Sequence, residues 1–246
     1  PEDARADVGP ADTGPVHSGV HTWCTSFPQG VVAPPVPGAF AMGSPVTEVG
    51  GQATERTRQP IEFQSPFWIS ATEVTQAEWD RLMPTNPSRV PCPDCPVEGV
   101  SWDQAVDYVN ALSASCGLPA CFPATPADRR TAVLDLACTG FRLPTEAEWE
   151  YSARGGTQTA FWSGEATQEF GVEPALDGVA WYLASSGAAV RAAGILRANA
   201  YGLYDVHGNV AEWVADGLRT YGPGNLIDPV SHPMSAYTFV LRGGHA

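Results

Sequence analysis

Hydrophobic and polar positions divide the chain near residue 39. Few large apolar residues occur before Trp23, and residues 1–38 are rich in proline, glycine, aspartate and alanine. A segment with so little apolar surface cannot bury enough of it to form a core, so we predict a flexible acidic tether over 1–38. From Ala39 onward apolar runs recur, and we predict a single folded domain over 39–246.

Three helices are predicted by one local signal, the capping box, in which Ser or Thr is followed three residues later by Glu or Gln. The boxes begin at Thr75, Ser101 and Thr145, and apolar residues follow each at helical spacing. Short strands are predicted in AFAMGSP, in PIEFQSPFWIS and in YTFVLR at 237–242. Few helix signals follow Ala153, so we expect an α+β fold with low regular secondary structure, few helices and short antiparallel strands.

Composition and charge narrow the classes of function. The 246 residues carry a formal net charge of −14, which disfavours nucleic acid as a partner. All 13 basic residues are arginine. Phosphate-loop nucleotide binding, protein-kinase chemistry and pyridoxal Schiff bases each need a lysine, so the sequence excludes them. No stretch is apolar for long enough to predict a transmembrane segment, and the start at Pro1 is compatible with a removed secretion signal.

Six cysteines are present, and an even number in an exported chain indicates disulfides. Of the many pairings that six cysteines allow, we favour Cys92–Cys95, within CPDCP, and Cys121–Cys138, which leaves Cys24 with Cys116. A zinc site and a redox CxxC are the alternatives. The chain has no second CxxC for the first and no thioredoxin-like context for the second.

Two segments are more specific than the general patterns of helices and strands: FRLPTEAEWEYSARGG at 141–156 and YGLYDVHGNVAEW at 201–213. In the second, Asp205 and Glu212 offer hard oxygen donors, and Gly208 permits a sharp turn that can direct backbone carbonyls inward. These features are typical of a small calcium loop. The alternative is a fourth capping box, from Asn209 to Glu212, with no metal.

Together these segments resemble the formylglycine-generating enzyme (sulfatase-modifying factor) family. GSP at 43–45, SPFWISATEVTQAEW at 65–79, PVEGVSWDQAVDYVNAL at 96–112 and LRGG at 241–244 stand where that family has its signatures. The resemblance covers about residues 39–246 and implies a C-type-lectin-like fold. It also implies a Ca²⁺ site formed by the side chain of Asp205, the carbonyls of Gly208 and Val210, and the carboxylate of Glu212.

The sequence departs from the enzymes of that family at their catalytic residues. Those enzymes use oxygen and copper(I) to convert a sulfatase cysteine to formylglycine, and two cysteines hold the copper because thiolate and copper(I) are both soft. The family's two cysteines follow the segment that corresponds to 237–244, and none of the six cysteines here matches them. His245 stands where the enzymes have serine, and Ala211 where they have tryptophan. We therefore assign no catalytic residue.

The sequence leaves two hypotheses for function. The favoured one is an exported bacterial module, calcium-stabilised, for binding or structure, secreted or tethered to a surface by its N-terminus. Its partner would be an unidentified protein or small-molecule ligand. The other is a copper-dependent oxidase whose catalytic cysteine segment is absent from these residues. Copper is expected only if residues beyond Ala246 supply the cysteines.

Overall fold

The computed structural model describes residues 31–32, 34, 39–45, 47–50, 58–129, 131–167, 171–218, 224–231 and 238–246. The elements in chain order are β1 (Val31–Val32), β2 (Ala39–Met42), β3 (Gln59–Glu62), β4 (Ile69–Ser70), α1 (Gln76–Asp80), α2 (Trp102–Ser115), α3 (Pro126–Arg129), α4 (Glu146–Arg154), a 3₁₀ turn (Pro174–Leu176), α5 (Leu183–Ser186), β5 (Glu212–Gly217), β6 (Leu226–Ile227) and β7 (Phe239–Arg242). The predicted fold class is confirmed, because helices are few, strands are short and most of the described chain is loop.

The three predicted helices start where their capping boxes place them. In each box the Ser or Thr side chain accepts from the backbone N–H three residues on, and the Glu or Gln there accepts from the N-cap N–H; the pairs are Thr75–Glu78, Ser101–Gln104 and Thr145–Glu148. α4 ends at Gly155, whose φ of 55° is the left-handed conformation that favours glycine. No helix among the described residues is long and apolar enough to cross a membrane.

Strand pairing joins distant parts of the chain. β2 pairs antiparallel with β3, as predicted. β6 lies parallel to β3 on its other side, which differs from the predicted antiparallel arrangement, because the long connection from β3 to β6 allows the chain to return in the same direction. β5 pairs antiparallel with β7, with an irregularity between Trp213 and Gly217. β1 pairs antiparallel with β4. This last pair places Val31–Val32 in the folded domain, upstream of the boundary predicted at Ala39, whereas most of the predicted tether lies outside the described residues.

Helix α4 lies between two apolar clusters, because bulky residues project from opposite sides of it. Tyr151 packs with Met42, Ile61 and Phe63 from the β2–β3 side. Trp149 packs with residues that include Val214 of β5. A larger cluster forms around α2, with members Trp79, Trp102, Val106, Tyr108, Val109, Leu112, Phe122, Leu134, Leu143 and Ala215. The segment FRLPTEAEWEYSARGG therefore forms the centre of the domain.

Two disulfides close loops that regular structure does not hold. The structure contains the Cys92–Cys95 and Cys121–Cys138 bonds, both of which the sequence analysis favoured. Cys116 is also disulfide-bonded, while Cys24, its predicted partner, lies outside the described residues. The bonded sulfurs are not thiolates, so the alternative of a zinc site built on the CxxC is wrong.

Candidate functional site

The segment from Asp205 to Glu212 forms a tight loop in front of β5. Asp205, Gly208 and Asn209 all have positive φ, at 52°, 93° and 54°. A Cβ on Gly208 would lie 2.1 Å from the carbonyl oxygen of Trp181, so only glycine fits there. The Asn209 N–H donates to that same oxygen at 2.6 Å. The loop is therefore pressed against the backbone at Trp181.

The C-terminal end of the described chain holds the other side of this loop. The Gly208 N–H donates to the Gly243 carbonyl at 2.8 Å, and the Ala246 N–H donates to the Asn209 carbonyl at 3.0 Å. His245 is exposed beside it, and Ala211 is partly buried. The two positions at which this sequence departs from the enzymes thus lie at the loop or next to it.

The carboxylate of Asp205 is buried, and only one of its two oxygens has a hydrogen-bond donor among the described residues. Asp205 is 1% exposed. Its Oδ2 accepts from the Gly194 N–H at 2.6 Å, whereas Oδ1 is buried and accepts from no described residue. Burial raises the pKa of Asp205, and the Gly194 hydrogen bond opposes this rise. A buried carboxylate oxygen without a partner is costly unless a proton or a cation meets it.

Glu212 begins β5 and faces the same region. Burial raises the pKa of its carboxyl to about 7; a hydrogen bond from Trp149 opposes the rise, and the negative charge of Asp205 adds to it. The negative charge of one predicted side-chain ligand therefore opposes ionisation of the other. The alternative of a capping box is wrong, because Glu212 starts a strand and Asn209 has a left-handed φ.

Sequence reasoning missed a third acid, Glu73, which the structure brings to the loop. Glu73 lies between β4 and α1 and is 7% exposed. Its Oε1 accepts from the Val210 N–H at 3.0 Å, and its Oε2 accepts from Asn209 Nδ2 at 2.9 Å. Burial raises the pKa of Glu73 well above its ordinary value, and the charges of Glu212 and then Asp205 raise it further. Nothing in the local pattern ATEVTQ distinguishes it from a surface acid.

These donors fit a calcium ion better than a soft metal. Ca²⁺ takes six to eight oxygen ligands from carboxylates, carbonyls and water. Asp205 and Glu212 supply carboxylates, and Asp205 Oδ1 is an oxygen that lacks a partner. In the described part of the chain no three His, Cys, Asp or Glu side chains are grouped to hold a metal by themselves. A calcium ion here would thus depend on the backbone carbonyls of Gly208 and Val210.

Beneath the loop, Glu150 of α4 joins two arginines. Its Oε1 accepts from Arg154 Nε and Nη2 at 2.9 and 2.7 Å, and its Oε2 accepts from Arg242 Nη2 at 2.7 Å. Arg242 belongs to β7 and lies over the ring of Trp149, 5.2 Å from its centroid. Trp149, which precedes Glu150 in α4, also forms a hydrogen bond with Glu212. The ion network and the Glu212 end of the loop are therefore joined through α4.

His207, in the middle of the loop, is neutral in this arrangement. Its Nε2 accepts from the Trp162 N–H at 3.3 Å, which requires an unprotonated Nε2. Burial, and then the positive charges of Arg154 and Arg242, lower its pKa to about 4. The ring therefore acts as a hydrogen-bond acceptor between the loop and the segment around Trp162.

Replacing His207 with Gln is expected to reduce the loss of stability in mild acid. An unfolded histidine takes up a proton below pH 6.5, whereas folded His207 resists until about pH 4, so its contribution is present above pH 6.5 and is lost between these values. The wild type should lose roughly 1–3 kcal/mol from this source between pH 7.5 and 4.5. Urea denaturation at both pH values measures the difference. His245→Gln, at an exposed position, is the control, and an equal loss in His207→Gln would contradict the assignment.

Comparison with known proteins identifies the family of the chain. Residues 21–246 match FGE-sulfatase, the sulfatase-modifying factor enzyme 1-like domain. The chain is 33% identical over 180 residues to the chaperone protein LppX of Paenibacillus barcinonensis, covering 61% of each. It is 34% identical over 197 residues to a formylglycine-generating enzyme of Thermomonospora curvata, covering 74% of this chain and 53% of that protein.

Among solved structures, Treponema denticola variable protein 1 superposes with a TM-score of 0.70 and 31% identity, over 87% of this chain and 83% of that one. The chain thus shares its fold along most of both molecules. The chain spans less than two thirds of the length of the chaperone LppX and of the formylglycine-generating enzyme.

Proposed function

Because the chain belongs to the sulfatase-modifying factor enzyme 1-like family, we propose that it is a calcium-stabilised binding or structural module rather than a copper oxidase. Family membership is compatible with either function, since one relative is named a chaperone and another a formylglycine-generating enzyme. The observation that carries the proposal is the buried carboxylate of Asp205, whose Oδ1 has no hydrogen-bond donor among the described residues. The loop at 205–212 would be a structural metal site.

The state of the cysteines supports a non-catalytic role for this part of the chain. Copper(I) prefers thiolate ligands. Cys92, Cys95, Cys121 and Cys138 are joined in disulfides, and Cys116 is also disulfide-bonded, so none of these five offers a thiolate. His245 and Ala211 replace the serine and tryptophan that the resemblance implies near the reaction centre. Oxygen ligands at the loop suit calcium and not copper(I).

The oxidase remains the second candidate because of the identity to a formylglycine-generating enzyme over 74% of the chain. It requires a pair of cysteines encoded after Ala246. The decisive observation is the encoded sequence there, followed by an assay of a copper-loaded chain on a cysteine peptide from a sulfatase. Formylglycine formation would favour the oxidase, and the absence of closely spaced cysteines would remove it.

Calcium is expected to raise the thermal stability of the protein. At a calcium concentration 100 times Kd, binding contributes about 2.7 kcal/mol, which corresponds to roughly 5–10 °C in Tm for a domain of this size. The measurement is a melting curve in EDTA and in excess calcium, together with elemental analysis of the purified protein. Asp205→Ala should abolish the shift, whereas Asp177→Ala, at an exposed position, should retain it. Equal Tm values for the wild type in EDTA and calcium would refute the calcium site.

We infer an extracytoplasmic location from the disulfides. Structural disulfides persist in oxidising compartments and are rare in the cytosol. Intact mass before and after reduction, on protein isolated from its native compartment, tests the location. A fully reduced native protein would contradict it.

The formal net charge of −14 would favour neutral or basic partners over nucleic acid, so the partner would be a protein or a small molecule.

A further inference from the structure

We propose that Glu73 is the positioning residue of the calcium loop: it fixes the peptide between Asn209 and Val210 so that the carbonyls on either side can meet the ion. The inference rests on the proposed calcium site. Glu73 bonds two neighbouring residues of the loop at once, through Asn209 Nδ2 and the Val210 N–H. It belongs to a different part of the chain from every predicted ligand.

Peptide geometry explains how these bonds orient the loop. In a planar trans peptide the N–H and the C=O point in opposite directions. The Val210 N–H points to Glu73, so the Asn209 carbonyl points away, where it accepts from the Ala246 N–H at 3.0 Å. The Asn209 N–H points to the Trp181 carbonyl, so the Gly208 carbonyl points away from Trp181. The residue between the two predicted carbonyl donors is therefore fixed.

The side chain of Asn209 makes this arrangement hard to replace. Its Oδ1 accepts from the Arg191 N–H at 2.9 Å, while Nδ2 donates to Glu73 and also, at 3.2 Å, to the Arg191 carbonyl. The amide cannot turn over without losing these bonds. Asn209 is 1% exposed, so no bulk water replaces a lost partner. Glu73 must therefore present an acceptor to Asn209 and a second acceptor to Val210.

Both oxygens of Glu73 accept from amide N–H groups of the loop, one from the Asn209 side chain and one from the Val210 backbone. This is the geometry of a residue that orients the ligands of a metal. Supporting residues of this kind, which orient ligands without necessarily touching the metal, typically change metal affinity by about 10–100-fold when replaced.

The test compares Glu73→Gln with Asp216→Asn. Asp216 is a matched control, because it is also buried, at 3% exposed, and its two oxygens accept from the N–H groups of Glu146 and Ser231 at 2.6 and 2.7 Å. Each substitution puts an NH₂ group against a backbone or amide donor. Glu73→Asp is the second variant, since it keeps the carboxyl group but shortens the reach. Calcium Kd is measured by isothermal titration calorimetry, and Tm is measured in EDTA.

We expect Glu73→Gln to weaken calcium binding by at least about tenfold and Glu73→Asp to weaken it less. Asp216→Asn should lower the Tm in EDTA but leave Kd within about twofold of the wild type. An unchanged Kd in Glu73→Gln, or an equal loss in Asp216→Asn, would overturn the inference while leaving the calcium site in place. No calcium binding by the wild type would instead reject the proposed function and this inference with it.

Discussion

Replacing Glu150 with Ala is expected to lower the free energy of unfolding by about 3–5 kcal/mol, because removing one partner of a buried ion pair leaves the other charge uncompensated. Glu150 is 5% exposed, and its loss would affect two arginines, Arg154 and Arg242. The Gly43 N–H, which donates to Glu150 Oε1 at 2.7 Å, would lose its acceptor as well. Arg242 would keep its place over the ring of Trp149 and a longer ion pair with Glu146, at 3.5 Å.

Urea denaturation of the two proteins at pH 7.5 measures this loss. Glu165→Ala is the control, since Glu165 is exposed and, among the described residues, accepts a long 3.4 Å bond from the Ala160 N–H. It should change the free energy of unfolding by less than about 0.5 kcal/mol. A loss below about 1 kcal/mol in Glu150→Ala would mean that the ion network adds little to stability.

Replacing Trp102 with Ala should cost a similar amount, about 3–5 kcal/mol, by a different mechanism. Trp102 is 5% exposed at the start of α2. Its ring stacks on Phe239 of β7 with centroids 3.9 Å apart and meets Phe122 edge-on at 5.7 Å. Its Nε1 donates to the Val214 carbonyl at 2.9 Å. The substitution leaves a cavity and removes the donor that Trp102 offers to the Val214 carbonyl.

Trp102→Phe separates the two parts of this effect. Phenylalanine keeps an aromatic ring against Phe239 but cannot donate to Val214, which is fully buried. We expect Trp102→Phe to lose about 1–3 kcal/mol, the cost of a buried polar group without its partner and a small volume change. Chemical denaturation of both variants gives the comparison. If Trp102→Phe lost as much as Trp102→Ala, the hydrogen bond and not the packing would dominate.

The features that were predicted well from the sequence are those that depend on residues close together in the chain. A capping box needs only four positions, so Thr75, Ser101 and Thr145 could be identified without knowledge of the fold. The strand in YTFVLR was also predicted, and the described residues of it form β7 from Phe239. The two described disulfides follow the same logic, because both join cysteines close in sequence, 3 and 17 residues apart.

The features that were missed depend on distant partners. Strand β5 has the sequence EWVADG, and both Asp216 and Gly217 are residues that strands usually lack. Asp216 is tolerated in this strand because its carboxylate accepts hydrogen bonds from the N–H groups of Glu146 and Ser231. Glu73 bonds residues 136 and 137 positions away. Local patterns contain no information about such contacts, so the part of Glu73 in the candidate site could be seen only in the folded chain.

The pairing of Glu150 with Arg242 has a consequence for the order in which the protein acquires its structure. The two residues are 92 positions apart, and β5 and β7, which contact α4, both follow it in the sequence. During synthesis α4 therefore emerges before Arg242, and its buried carboxylate then lacks one of its two arginines. Long-range contacts of this kind delay folding. We therefore expect α4 to reach its native environment only after β7 has been synthesised.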